Sequence, residues 1–192
     1  MLRWRRVWNT FRPTDKLLAE LRSAENGLAL LLLEELKERQ LLQTGDLEGV
    51  DLSGARLARG TFAKGRLRRV NLAHADLTFS YFYDADLQDA QITHADFSHA
   101  NLRQIRLDGA TASGAQFVAT NLARASLVGC DLREANLTFA NFWTADLRGA
   151  DLTGAATHGA NFHDTLCNET TRLPDGSSWS PRVDWRRLTQ HN

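Results

Sequence analysis

His74-Ala75-Asp76 recurs twenty residues later as His94-Ala95-Asp96. Two imidazoles and two carboxylates gathered at one place would suit Zn²⁺ or a similar ion, which accepts nitrogen and oxygen ligands. That chemistry requires a chain that returns to the same lateral position after twenty residues. Equivalent residues would then lie about 5 Å apart, as in neighbouring strands. His and Asp flank an alanine, so extended backbone points both the same way, outward if the alanine faces inward. The competing reading is plainer: the Asp belongs to a repeat, and an outward His is tolerated beside it. Other chemistry is sparse. No Gly-rich phosphate loop opens a helix, and no Ser, His and acid form a nucleophilic arrangement beyond what the repeat explains. The expectation is a non-enzyme with no catalytic residue, no cofactor and no dedicated metal.

The element that must position these residues is a repeat of five. Every fifth residue from Leu47 to Phe162 is large and apolar, apart from Ala112 and Thr157. A small residue stands two places before most of them, as at Ala55, Gly60, Gly65, Ala75, Ser80 and Ala85. Five matches neither a helix period of 3.6 nor a strand period of 2. It fits a chain that turns a corner every five residues, with the small and large residues inward. Four corners close a coil of twenty residues. Successive coils stack at about 4.8 Å, so the run makes a rod about 29 Å long. A narrow coil cannot hold two large side chains per unit at close-packed density, which explains the small–large rule. Phe62 should stack over Phe82, Phe97 over Phe117 and Phe142 over Phe162. Ile105 and Ala112 reverse the rule within one coil and read as a compensating pair. Cys130 occupies a small inward site and reads as a buried hydrophobe.

The wording Ala75-Asp76-Leu77, Ala85-Asp86-Leu87, Ala135-Asn136-Leu137, Ala145-Asp146-Leu147 and Ala150-Asp151-Leu152 resembles the pentapeptide-repeat family. The resemblance implies an all-β solenoid, a right-handed quadrilateral β-helix of about six coils, and a role without catalysis. It also implies that some members bind type II topoisomerases as DNA mimics and protect against quinolones. Asp or Asn before each centre residue then serves the repeat, satisfying corner backbone groups rather than acting as paired catalytic carboxylates.

A solenoid must protect its ends. Residues 14–43 read as an N-terminal α-helical cap, with Thr14 and Ser23 as N-caps and an apolar stripe of Leu28, Leu31, Leu32 and Leu36. Residues 44–167 are the β-helix and 168–192 a tail. The Leu173-Pro174-Asp175-Gly176 turn resembles the sequence with which many family members end their repeats. The tail carries Trp179 and Trp185, and either folds over the last coil or meets a second copy in a homodimer. On the surface, Leu77-Thr78-Phe79-Ser80-Tyr81-Phe82-Tyr83 is echoed by Leu137-Thr138-Phe139-Ala140-Asn141-Phe142-Trp143. The middle Phe of each is inward, so Phe79, Tyr81, Tyr83, Phe139 and Trp143 point out. They form two aromatic patches about 14 Å apart by the coil spacing, and exposed aromatics mark partner surfaces.

Formal net charge is +0 over 192 residues. From residue 45 to 167 there are 14 acidic and 11 basic side chains, so no anionic stripe favours the DNA-mimic role and nothing favours nucleic acid. Two cysteines make no disulfide framework, and a cytoplasmic location is expected. The leading expectation is a scaffold presenting a surface to a protein partner. The other concerns residues 1–13. On a helical wheel Trp4, Val7, Trp8 and Phe11 fall on one side, with Arg3, Arg5, Arg6 and Arg12 around the rest. This suits a helix lying in a lipid interface, or one docked on the helices that follow. Sedimentation with anionic liposomes separates the two. A membrane helix makes the full chain pellet in low salt and leaves a chain starting at Thr14 in the supernatant; a docked helix leaves both in the supernatant.

Overall fold

The computed structural model describes residues 13–190. Those residues do turn every five. The unit 71–75 shows how its backbone is satisfied. Asn71 N–H donates to Val50 O at 2.9 Å, Leu72 N–H to Gln91 O at 2.7 Å and His74 N–H to Thr93 O at 3.0 Å. Ala75 N–H closes the turn on Leu72 O at 3.0 Å, and Ala73 N–H is taken by the Asn71 side chain at 3.0 Å. All five donors are used within protein, as buried backbone requires. The same side-chain contact recurs from Asp51 to Ser53, Asp76 to Thr78, Asp96 to Ser98 and Asp131 to Arg133. This is why Asp and Asn hold that place in the repeat.

The fourth residue of each unit has positive φ, at all 24 corners from residue 49 to 164, and 16 of them are not glycine. Positive φ at the third position of a four-residue turn closed by an i to i+3 bond is the type II arrangement. Three of five residues are thus spent on the turn. What remains pairs as a single parallel bridge, such as Asp51 with Asn71 and Asn71 with Gln91, always twenty residues apart up to Asp146 with Leu166. Among the described residues there is no strand longer than one bridge. The expected all-β solenoid is in this sense a coil of turns, in which each strand has shrunk to one residue.

The small and large inward residues form one continuous core. Phe62 and Phe82 stack at 4.4 Å, Phe97 and Phe117 at 5.5 Å, and Phe142 and Phe162 at 4.9 Å between ring centroids. Ile105 and Ala112 are both fully buried, as is Cys130, whose thiol burial holds well above its ordinary range. Two inward threonines find partners, Thr120 Oγ1 donating to Phe97 O at 2.8 Å and Thr171 Oγ1 to Leu147 O at 2.9 Å, whereas the buried Ser80 Oγ has none.

Three helices precede the first coil: α1 (Thr14–Ser23), α2 (Asn26–Glu38) and α3 (Leu41–Thr44). Their buried residues join the same core as the coils. Arg22 reaches Asp51 at 2.7 Å, and Arg56 pairs with Glu25. Two details differ from expectation. Neither Thr14 nor Ser23 caps a helix; Thr14 Oγ1 accepts from Arg39 Nη2 at 3.0 Å, and Ser23 Oγ bonds back to Glu20 O. The buried side of α2 is Ala29, Leu32, Leu33 and Leu36, whereas Leu28 and Leu31 are exposed. Trp4, Val7, Trp8 and Phe11 lie outside the described residues.

The repeat runs further than its sequence signature. One extra residue shifts the last parallel bridge to Asp151 with Arg172, and Leu173 is buried. The Pro174-Asp175-Gly176 turn then reverses the chain so that Ser178 pairs antiparallel with Arg172. The final helix, α4 (Trp185–Gln190), lies on the last coil. Trp185 stacks on Phe162 at 4.2 Å, extending the phenylalanine ladder, and Thr157 Oγ1 donates to Leu188 O at 2.6 Å. Thr157 breaks the apolar series because it meets a helix end rather than another coil. No described helix is long and apolar enough to cross a membrane.

Two variants test this architecture. Leu122→Asp, at a site that is 0% exposed, puts an unpaired carboxylate in the ladder and should cost more than about 4 kcal/mol. Leu122→Met should cost under about 1.5 kcal/mol. Equal melting of the Asp variant and wild type would refute the inward assignment. Thr144 is β-branched at φ 55°, and its buried Oγ1 has no partner. Thr144→Gly should therefore raise stability by about 1 kcal/mol, read as a Tm increase of about 2–4 °C.

Candidate protein-binding face

His74 and His94 are brought together, but not as metal ligands. Their rings stack face to face at 5.2 Å with 22° between planes. Asp76 Oδ1 accepts from both Thr78 N–H and Thr78 Oγ1, and Asp96 Oδ1 from Ser98 N–H. The carboxylates thus serve their own turns. Among the described residues no group of three or more His, Cys, Asp or Glu could hold a metal ion.

The five surface aromatics gather on one face. It lies between the corner column Arg59, Phe79, His99, Ala119, Phe139, Gly159 and the next column, Lys64, Asp84, Gln104, Arg124, Thr144, Asp164. The bridge column between them is Thr61, Tyr81, Asn101, Asn121, Asn141, Asn161. Beside it run Ala63, Tyr83, Arg103, Ala123, Trp143 and His163. Phe79 is 56% exposed, Phe139 58%, Tyr81 40% and Trp143 38%, and Tyr83 is half-buried. Neither α1–α3 nor α4 covers them.

Each aromatic is held in a definite attitude. Phe79 stacks on His99 at 4.8 Å, with the Arg59 guanidinium 5.6 Å from its centroid on the coil before. Tyr81 and Tyr83 lie 6.2 Å apart with 15° between planes. Phe139 lies over Gly159, where an added Cβ would meet its Cδ1 at 2.4 Å, and His158 meets it edge-on. Arg124 sits 5.3 Å over the Trp143 ring. Between the two aromatic rows the side chains are smaller or polar: Ala119 is exposed, Ala123 is buried, and Asn101, Asn121 and Asn141 are half-buried. The rings, and the plainer strip of His99, Asn101, Arg103 and Asn121 between them, were legible in the sequence; the placing of Arg59 and Arg124 over the rings was not.

Phe79 and Phe139 also occupy positive-φ corners, at 57° and 58°. A bulky residue there is strained by about 1–2 kcal/mol, and rings more than half exposed recover little of it by burial. Fourteen other non-glycine corners of the repeat share that backbone conformation; these two differ in holding a large apolar ring out toward solvent.

The family model for pentapeptide repeats matches eight copies between residues 51 and 166. The chain belongs to the pentapeptide-repeat family, whose fold implies a right-handed quadrilateral β-helix. Solved structures similar to it include HetL, a pentapeptide repeat protein involved in heterocyst differentiation regulation from the cyanobacterium Nostoc sp. strain PCC 7120. That match has 22% identity over 67% of this chain and 78% of HetL, with a TM-score of 0.33. QnrB1, a plasmid-mediated fluoroquinolone resistance protein, is 17% identical over 75% and 83% of the two chains, with a TM-score of 0.49. A pentapeptide repeat protein from the Arabidopsis thaliana thylakoid lumen is 31% identical over 66% and 74%, with a TM-score of 0.35. No curated protein matches the chain.

Proposed function

We propose that this protein is a non-enzymatic scaffold that binds a protein partner through the face bearing Phe79, Tyr81, Tyr83, Phe139 and Trp143. The observation that carries the reading is the pair of strained, exposed corner phenylalanines three coils apart. Interfaces are enriched in Tyr, Trp, Phe and Arg, and energetic hot spots in Trp, Tyr and Arg; this face has all four types. The inward residues fill the coils and leave a convergent catalytic pocket no room there. The turn N–H groups already engage many of the Asp side chains that an acid–base reaction would need. On the same reading α1–α3 act as the lid of the first coil, shielding its apolar end from aggregation. The DNA-mimic role fits less well, because cations rather than carboxylates accompany the aromatics.

Affinity capture tests the face. The wild-type chain should retain a protein that a Tyr81→Ala/Trp143→Ala variant loses. Both side chains are exposed, so the variant should melt within about 1 °C of wild type on the scale of ordinary surface changes. Retention of the same protein by both chains would move the binding site elsewhere.

A further inference from the structure

Residues 45 to 167 contain eleven Lys and Arg. Seven of them, Arg56, Arg66, Arg68, Arg69, Arg106, Arg133 and Arg148, pair with a carboxylate. Arg133 and Arg148 do so through two nitrogens each, and hold Asp131 and Asp146 below the usual carboxylate range. The remaining four are Arg59, Lys64, Arg103 and Arg124, for which the described residues supply no ion-pair partner. All four lie on or at the edge of the aromatic face. Its bridge column, unlike the other three, holds no carboxylate from residue 61 to 161: Thr61, Tyr81 and four asparagines. Four cations without an ion-pair partner among the described residues thus stand with only two carboxylates, Asp84 and Asp164, where the rings are exposed.

We infer that the partner of this face presents an acidic segment, laid across the face between the two aromatic rows with its carboxylates on Arg103 and Arg124. This rests on the reading that the face binds a protein, and adds the partner's charge. Arg103 and Trp143 flank Ala123 in one column, each one coil away, and Ala123 is only 6% exposed. Neighbouring side chains thus cover Ala123, so a ligand on this face meets Arg103 and Trp143 on the coils either side of it. Arg59 and Arg124 lie near the rings of Phe79 and Trp143. A guanidinium held at an aromatic ring is partly ordered before binding and keeps N–H donors for a carboxylate. An acidic apolar segment therefore finds ring contacts and forked donors within one coil of each other.

A single-stranded nucleic acid would also use rings and cations. The distribution of charge disfavours it. Asp84 and Asp164 share the corner column of Lys64 and Arg124, so a phosphate chain following the rod would pass both carboxylates. Asp164 is moreover 2.9 Å from His163. A short segment crossing the face between them avoids both.

The test pans the full chain against a displayed library of random dodecapeptides at low salt and measures the selected peptides on variant chains. The inference expects peptides enriched in Asp and Glu around an apolar or aromatic residue. Their affinity should drop about tenfold in Arg103→Glu and in Arg124→Glu, weaken as salt rises, and be lost in Trp143→Ala. Arg133→Glu, on another face, should leave binding unchanged. Peptides that need Trp143 but are neutral or basic would overturn the charge inference and leave the face standing. Peptides indifferent to Trp143 and Arg103 would overturn both. An empty selection overturns the inference, and so does one in which a dT oligonucleotide, not peptide, binds through Arg103 and Arg124.

Discussion

A chain of L-residues that turns every five positions must hold one residue in each five at positive φ, and the rest of this structure depends on that. Only then does the turn N–H close on the centre residue's carbonyl, as Ala75 does on Leu72. Only then do the residues on either side of the corner face inward together. The cost of a left-handed corner is about 1–2 kcal/mol for a residue with a Cβ. Eight corners avoid most of it with glycine; the other sixteen are held there by the bonds of the coils on each side. His74 N–H, for example, reaches Thr93 O while His74 itself is at φ 60°. No single unit could sustain this, so the fold is cooperative along the rod, as expected when each repeat contacts only its neighbours.

What the sequence disclosed follows from the same constraint. Inward positions are restricted in volume and polarity, so period, register and the Phe62–Phe82 type of stack could be read from residue types alone. Corner positions are restricted in backbone angle but not in chemistry, and a column that runs Gly54, His74, His94, Gly114, Glu134, Gly154 gives no compositional sign of it. The misread phase of α2 has a different cause. Leucines at 28, 30, 31, 32 and 33 surround the helix, so hydrophobicity alone does not choose a side. Contact with the first coil chooses it, through Leu33, whose Cδ1 lies where a Cβ on Gly60 would collide. Thr14 and Ser23 have the right chemistry for caps, but tertiary and i−3 bonds claim their hydroxyls. The continuation to Leu173 was hidden by one extra residue, which a strict five-residue count cannot follow.

The candidate site was half legible for the same reason. Outward residues are not constrained by the core, so their types can be read but their companionship cannot until the coil length is applied twice or three times. Phe139 lies on Gly159, and His94 crowds the Cβ position of Gly114, because a corner side chain leans over the next coil and a glycine gives it a seat. The His74–His94 pair shows the same division: their proximity was foreseeable, whereas the particular turn bonds that Asp76 Oδ1 and Asp96 Oδ1 accept were not.

The separation of core from surface also limits what the faces can be asked to explain. Replacing an outward residue changes neither the ladder nor the bridges, so stability gives little reason to place an aromatic there. On three sides the outward carboxylates do structural work, accepting from turn N–H groups and neutralising arginines. On the fourth, asparagines perform the first task at Asn101, Asn121 and Asn141 while remaining uncharged. Among the described residues no ion pair there engages Arg59, Lys64, Arg103 or Arg124. Asparagine in place of aspartate keeps the turn and removes the negative charge, so the cationic character of this face costs the fold nothing. On the proposed reading, binding is what selects a surface property that the fold neither needs nor opposes, and the exposed rings at Phe79 and Phe139 lie on that same side.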